Sequence, residues 1–376
     1  MSARVSLSEA AAFLKAHDSY LLLSHRRPDG DTVGSCAALC RALRAIGKQA
    51  WVYDNPQFTP KFAPYLEGLL WQPEATGNRQ QATEKAFPLR GRWPEGPDEV
   101  ASQLAAGRFT LVSCDIASKG LFPFGMEEAA VELALDHHGT NEGFAPRTHA
   151  DETRAACGEI ILELLPLLGV ESDKVMAEAL YLAISTDTGC FRYTNVTANT
   201  FRCAAACVAA GAEIYPINRV FFEMKRRPRL QLEARLIQSM EFFAQGRVAV
   251  SAIPQALIRE LGLTEDDIDD ISGFGRTVEG VQIAVMLREV EGGMGKASVR
   301  TGPEFNAAQI CKRLGGGGHP GAAGASLPGA SPPSGKRCWT PSHRRLHCNA
   351  KRYFDRGQAR GLDLPGRGGQ AAGGLP

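Results

Sequence analysis

The chain has 376 residues, 44% hydrophobic and 22% charged, with a net charge of +1. That length suggests two domains with ordinary cores, and no stretch approaches the ~18–20 apolar residues that span a bilayer. The near-neutral total hides an asymmetry: residues 328–376 hold nine Lys/Arg and two Asp/Glu, leaving 33 basic and 39 acidic groups on 1–327, a balance that argues against a broad surface for long duplex nucleic acid.

The first twenty residues alternate charge with apolar positions at helical spacing and lack a signal peptide's uninterrupted core. Tyr20–Ser24 then reads as a buried strand leading into His25, Asp29 and Asp31. Residues 32–46 have helical periodicity and stop at Gly47, with Asp31 or Thr32 as the cap. Ala50–Tyr53 is a second short strand, and 72–108 is a polar excursion with room for one helix. Phe109–Cys114 leads into Asp115, and Val131–Leu135 into Asp136, His137 and His138. Two helical patterns follow, near 154–168 and 173–186, the second running into Thr186-Asp187-Thr188-Gly189. This alternation predicts an α/β fold, a doubly wound parallel sheet over 1–195.

Residues 196–242 read as a helical connector broken at Pro216 and Pro228. Arg247–Ile253, Val281–Leu287 and Ala297–Thr301 resemble strands, with Gly292-Gly293 as a hairpin turn, and a helix over 304–314 meets a glycine run. A smaller α+β domain over 243–327 is expected, followed by a basic, disordered tail over 328–376. The ten cysteines include no C-x-x-C pair and read as small buried apolar residues. The cytoplasm is the expected compartment.

Three loops at strand ends carry the chemistry. In S-H-R-R-P-D-G-D, Pro28 restricts Arg27 to extended geometry and Gly30 permits a tight turn, so Asp29 and Asp31 project from a constrained loop. Alone, D-G-D reads as a polar turn that caps a helix. With His25 and the other clusters beside it, a metal site is the better reading. Hard divalent ions favour carboxylate oxygen, and an added imidazole tilts the choice toward Mn²⁺, with Mg²⁺ the alternative. Asp115 by itself would be a cap or a surface charge, yet a carboxylate from a central strand can bridge two ions ~3.5–4 Å apart. Adjacent residues of extended backbone face opposite ways, so of His137 and His138 one could ligate while the other meets substrate, with Asp136 orienting a ring. Asp187 is read as the ligand that closes the second ion. Asp29, Asp31, Asp115 and Asp187 together balance two divalent cations.

Gly315–Gly324 (GGGGHPGAAG) lacks the G-K-[ST] ending of a Walker loop. Consecutive glycines expose backbone N–H groups, so Gly316, Gly317 and Gly318 are expected to cradle phosphate, with His319 as a further donor. Arg300 is a candidate phosphate fork. A flexible linker and a plain surface arginine are the competing readings.

These motifs together resemble the DHH phosphoesterase superfamily: S-H-x-x-P-D-G-D, the strand-terminal Asp115, D-H-H-x-x-N through Asn141, T-D-T-G-x-F-R-Y over 186–193, and G-G-G-H-x-x-A-A-G. Within it, the likeness is to bifunctional oligoribonucleases that also hydrolyse 3′-phosphoadenosine 5′-phosphate, and it covers roughly 7–327. The resemblance implies two divalent ions, most readily Mn²⁺. His25, Asp29 and Asp115 would hold one; Asp31, Asp115, His137 and Asp187 would hold the other. His138 would contact the scissile phosphate, while Arg300, His319 and the glycine loop would grip a nucleotide in a cleft between the domains. It further implies hydrolysis of short oligoribonucleotides to mononucleotides, without a membrane or long duplex partner, and leaves a homodimer open. A cyclic or linear dinucleotide phosphodiesterase and a non-catalytic nucleotide-binding regulator are the alternatives. Departures are the long 72–108 segment, the loose match of Arg154–Glu159 to a small-residue stretch ending in Glu, and the missing helix after A-A-G.

Overall fold

The structure, a computed structural model, describes residues 3–71, 108–268, 271–290 and 294–327. The 72–108 excursion (all but its last residue), the Gly292-Gly293 turn and the tail expected over 328–376 lie outside the described residues. The chain divides into two compact units, the first ending at Met224 and the second beginning at Lys225. The helical segment 197–242 is thereby divided between them.

The apolar runs form the middle of a six-stranded sheet in the first unit. Its strands are β1 (Ala3–Arg4), β2 (Tyr20–Leu23), β3 (Ala50–Val52), β4 (Thr110–Cys114), β5 (Leu133–Asp136) and β6 (Arg147–Ala150). They lie in the order β3-β2-β4-β5-β6-β1, and every pair is parallel. Parallel strands are buried on both faces and so read as continuous apolar runs. Alternate residues serve two cores. Tyr20, Leu22, Val112, Leu133 and Leu135 pack with residues of helices α1 (Leu7–Ala16), α2 (Gly30–Ala45), α3 (Cys157–Leu168) and α4 (Lys174–Asp187). Leu21, Leu23, Leu111 and Ala134 pack on Trp71, Phe122 and Met126. Helix α5 (Ala198–Ala209) lies against α4.

Two strands of this sheet escaped the sequence reading. Arg147-Thr148-His149-Ala150 carries a single apolar residue, and becomes a strand because β5 offers it an edge; Ala3–Arg4 then extends that edge by two residues.

In the second unit Pro228 falls in the first turn of α6 (Arg227–Ser239), where a missing N–H costs no hydrogen bond. A mixed sheet follows: β7 (Glu241–Phe243), β8 (Val248–Ile253), β9 (Ile283–Glu289), β10 (Gly295–Thr301), β11 (Gly317–Gly318) and β12 (Ala322–Leu327). The order is β7-β8-β9-β10-β12-β11; β8 and β9 run parallel and the other pairs antiparallel. Val250, Val285 and Val299 pack with Ile310 of α7 (Ala307–Lys312) on one face, while Met286 and Ile253 meet Leu232 and Leu236 of α6 on the other. The Ala322-Ala323-Gly324 stretch, expected as loop, is instead the start of β12, paired with Arg300, Val299 and Ser298. Among the described residues no helix is long and apolar enough to cross a membrane.

Candidate metal centre

Strand β2 pairs with β3 on one side and β4 on the other, so the winding reverses between β2 and β4. Ligands of open α/β sheets bind beyond the carboxyl ends of the strands at such a reversal. His25, Asp29 and Asp31 leave β2 there, Asp115 leaves β4, and Asp136 closes β5 ahead of His137 and His138.

The cap of α2 is Asp29, not Asp31 or Thr32: its Oδ1 accepts from the backbone N–H of Asp31 at 3.0 Å and of Thr32 at 3.2 Å. The other oxygen, Oδ2, lies 3.4 Å from His25 Nε2. Capping and ligation are therefore compatible, one oxygen each. Asp31 reaches across to a different helix. Its Oδ2 accepts from Cys157 N at 2.7 Å, and its Oδ1 from Gly158 N at 2.9 Å and Ser35 Oγ at 3.1 Å. Helix α3 begins at Ala156 without a side-chain cap of its own, so Asp31 satisfies two of its orphan donors. The Thr32 hydroxyl donates to Cys114 O at 2.8 Å and ties the first loop to β4.

Asp187 arrives by close helix packing. A Cβ on Gly30 would overlap the Thr186 side chain, one on Gly34 the Ala179 carbonyl oxygen, and one on Gly158 the Ala183 methyl. Ala179, Ala183 and Thr186 lie at helical spacing on α4, so three glycines let α2 and α3 press against one stripe. That contact carries the end of α4, and Asp187 with it, to the strand ends. Asp115 takes the left-handed region, φ 62°, a strained conformation that clusters at functional positions.

Among the described residues, ligand atoms within 4.8 Å of one another form three groups: His25, Asp29 and Asp115; Asp31, His137 and Asp187; Asp115, His137 and His138. His137 Nε2 lies 3.7 Å from Asp31 Oδ2, 3.4 Å from Asp115 Oδ1 and 3.6 Å from Asp187 Oδ2. Such separations are long for hydrogen bonds. They lie near the upper end of the ~3.0–3.6 Å between two atoms that each sit ~2.1 Å from a shared ion at angles of about 90–120°. The His137 Nδ1 faces the Arg154 carbonyl at 3.3 Å; a carbonyl accepts only, so Nδ1 carries hydrogen, and in the neutral form of the ring the Nε2 lone pair faces carboxylates. Both His137 Nε2 and Asp115 Oδ1 are buried without a hydrogen-bond partner. Lone pairs facing one another in a dry site repel, and a cation reconciles them. The residues fit divalent ions.

The titration of the cluster has the same origin. Burial pushes Asp31 up to about 7, and Asp187 and Asp29 add to the rise against the opposing pull of His137. Asp115 is raised well above the usual carboxylate range by burial and then by Asp31, and Asp187 is raised, burial first. At His137 burial disfavours the imidazolium, yet Asp31 and Asp187 outweigh it and the pKa rises. Asp29 falls below its ordinary value, because hydrogen bonding and attraction to His25 outweigh burial.

Asp136 is fully buried and touches no ion group. Its Oδ1 accepts from His138 Nδ1 at 2.8 Å and from the His137 backbone N–H at 2.8 Å, and its Oδ2 from Asn141 Nδ2 at 2.6 Å. The ring it orients belongs to His138, whose pKa rises chiefly through that bond; the ring of His137 is held by the Arg154 carbonyl. The R-A-A-C-G stretch leading into α3, a loose match in sequence, supplies the Arg154 carbonyl and the N–H groups of Cys157 and Gly158. Main-chain donors leave no side-chain signature, and the run of small residues was the available signal.

In the second unit Arg300 pairs with Ala322 at one end of the sheet, beside the turn His319-Pro320-Gly321. The His319 N–H donates to Ala322 O at 2.8 Å, Thr301 N–H donates to Gly321 O at 3.1 Å, and His319 is exposed. The glycines are not a free loop. Gly316 N–H closes α7 by donating to Cys311 O, and Gly317 and Gly318 form β11. A Cβ on Gly316 or Gly318 would run into the backbone of β12. Gly317 alone of the three has open space around it.

Comparison with known proteins places this geometry. The DHH family N-terminal domain matches residues 19–184 and the DHHA1 domain residues 245–334. Over 322 residues the chain is 33% identical to the "Bifunctional oligoribonuclease and PAP phosphatase NrnA" of Thermus thermophilus, covering 85% of this chain and 87% of that protein. The Bacillus subtilis protein of the same name is 23% identical over 325 residues, covering 85% and 93%. A crystal structure of an exopolyphosphatase-related protein from Bacteroides fragilis shares the fold, with a TM-score of 0.74 at 19% identity over 94% of this chain and 97% of that one. The chain belongs to the DHH family and carries a DHHA1 domain in its second unit.

Proposed function

We propose that this protein is a metal-dependent phosphoesterase that hydrolyses short oligoribonucleotides to mononucleotides and 3′-phosphoadenosine 5′-phosphate to AMP. The names of the Thermus and Bacillus relatives support the substrates. The observation that carries the chemistry is the convergence of His25, Asp29, Asp31, Asp115, His137 and Asp187 at the strand ends, with two buried ligand atoms left without partners. On this reading His25, Asp29 and Asp115 hold one ion and Asp31, Asp115, His137 and Asp187 the other, Mn²⁺ in preference to Mg²⁺ because imidazole joins the carboxylates. Two such ions lower the pKa of water and offset charge on the attacking and leaving oxygens of a phosphoryl transfer.

The chain's own groups do the rest. Asp136 fixes His138 through Nδ1, which leaves Nε2 to donate to a phosphate oxygen, and the raised pKa of His138 favours that protonated state. The four carboxylates balance two divalent ions, so an incoming phosphate needs further donors. Arg300 and His319, with the open backbone at Gly317, would supply them at one end of the second sheet.

A panel of short oligoribonucleotides, cyclic dinucleotides and 3′-phosphoadenosine 5′-phosphate, assayed with Mn²⁺ and after chelation, tests the proposal. Mononucleotides from the oligoribonucleotides and AMP from the bisphosphonucleotide, both lost on chelation, are expected. Preferred turnover of cyclic dinucleotides, or binding without turnover, would replace it.

A further inference from the structure

The segment after Asp187 doubles back on the metal centre through one side chain. Asn195 Nδ2 donates to two backbone carbonyls, Ala155 O and Asp187 O, each at 3.1 Å. A carboxamide nitrogen has two hydrogens, so both bonds are made at once. The two carbonyls belong to the two stretches that aim a single donor group. One is the end of α4, which bears Asp187. The other runs through Arg154, whose carbonyl holds the His137 ring, to Cys157 and Gly158, whose N–H groups hold Asp31. Among the described hydrogen bonds no other side chain joins these stretches. The group of His25, Asp29 and Asp115 hangs on β2 and β4 instead, linked by the Thr32 hydroxyl to Cys114. Four residues along, Asn199 Nδ2 donates to Glu159 Oε2 at 2.9 Å and Glu163 Oε1 at 3.0 Å, and touches neither stretch.

We infer that Asn195 is a positioning residue for the ion of Asp31, His137 and Asp187 and has no part in setting the other. The inference rests on the two-ion reading above. Beside the shared Asp115, three ligands from separate elements hold this ion only while their mutual distances stay within tenths of an ångström. Asn195 locks the element carrying one ligand to the stretch that orients the other two. Loss of a group that orients metal ligands from behind costs about 10–100-fold in affinity.

Calorimetric titration of the metal-free, full-length protein with Mn²⁺ separates the two claims. The unaltered protein is expected to show two binding steps; one step or none overturns the two-ion reading, and the inference with it. Asn195→Ala is expected to weaken one step about tenfold or more and leave the other unchanged, and Asn195→Ser, which keeps one donor, to fall between. Asn199→Ala is expected to lower the melting temperature while leaving both steps in place. If Asn195→Ala binds both ions as the unaltered protein does, weakens both alike, or is matched by Asn199→Ala, the positioning role is wrong and the two-ion reading stands. Should Asn195→Ala fail to fold by circular dichroism, the serine variant carries the same comparison.

Discussion

In the first unit the polar groups singled out by sequence gather at the carboxyl ends of parallel strands around the buried Asp31, Asp115 and Asp136, whereas in the second the half-buried Arg300 and the exposed His319 flank a turn at the end of a mixed sheet. The first arrangement is costly to the metal-free chain: the side chains of Asp31 and Asp115 are 1% and 4% exposed, and both carboxyls are driven upward by burial and by neighbouring carboxylates. The difference teaches where each motif gets its residue types. Carboxylates crowded together at the strand ends suit a cation, while most of the glycine run is already explained by strand pairing and a helix end. Mutations in the first unit should thus separate ligand chemistry from folding, and those in the second should separate ligand contact from packing.

The largest effect is expected from Asp115→Asn. Asparagine tolerates the left-handed backbone that position 115 adopts, fills the same volume and removes one charge from the cluster. Metal ions contribute several kcal/mol of charge stabilisation, so turnover should fall about a thousandfold or more. The metal-free variant should melt at or above the temperature of the metal-free parent, because Asp115 Oδ1 accepts no hydrogen bond and repels its neighbours. Near-normal turnover in a steady-state assay would remove Asp115 from the site. Asp31→Ala is a blunter probe: it strands the N–H groups of Cys157 and Gly158 at a cost of ~1–3 kcal/mol each, mixing folding with chemistry.

That contrast also marks what could be read in advance. Asp115 and the D-H-H triplet were legible because each follows an apolar run too short for a helix and ends it with a metal-ligand side chain. The edge strand Arg147–Ala150 was not, since its extended form comes from β5 beside it rather than from its own residues. Backbone groups that hold Asp31 and His137 were equally silent. The stripe of Ala179, Ala183 and Thr186 against Gly30 and Gly34 was readable in principle, as small residues at helical spacing on both partners. The glycine run pointed to open backbone, whereas β12 uses most of it.

A pH experiment sharpens the first half of the comparison. In the metal-free protein Asp31 holds its proton up to about pH 7, and Asp115 and Asp187 are raised as well, whereas an unfolded aspartate titrates near ~3.9. The folded chain therefore binds more protons than the unfolded chain between these values. This stability is fully present below the lower value and is lost as pH rises through the upper one. His137, also raised, acts with the same sign above ~6.5; the lowered Asp29 and Asp136 act oppositely, but below ~3.9. After chelation, the melting temperature should be higher at about pH 5.5 than at about pH 7.5. With Mn²⁺ in excess the trend should reverse, because protons compete with the ions for the same oxygens and imidazoles. Parallel trends with and without Mn²⁺ would mean that the cluster binds no cation.

The smallest structural change tests the second unit. Gly316→Ala places a methyl against the Gly324 carbonyl and Ala325, and overpacking of this kind costs ~1–3 kcal/mol, with no loss of Mn²⁺ binding in the first unit. Gly317→Ala meets nothing within 4 Å and lies at no left-handed angle, so its thermal shift should stay within about 0.5 kcal/mol. Any rise in KM for Gly317→Ala then reports a ligand that approaches the backbone there, since the fold supplies no other reason. A variant whose KM and kcat both match the parent would leave the glycine run with packing duties alone, and nucleotide contact in the second unit would rest on Arg300 and His319.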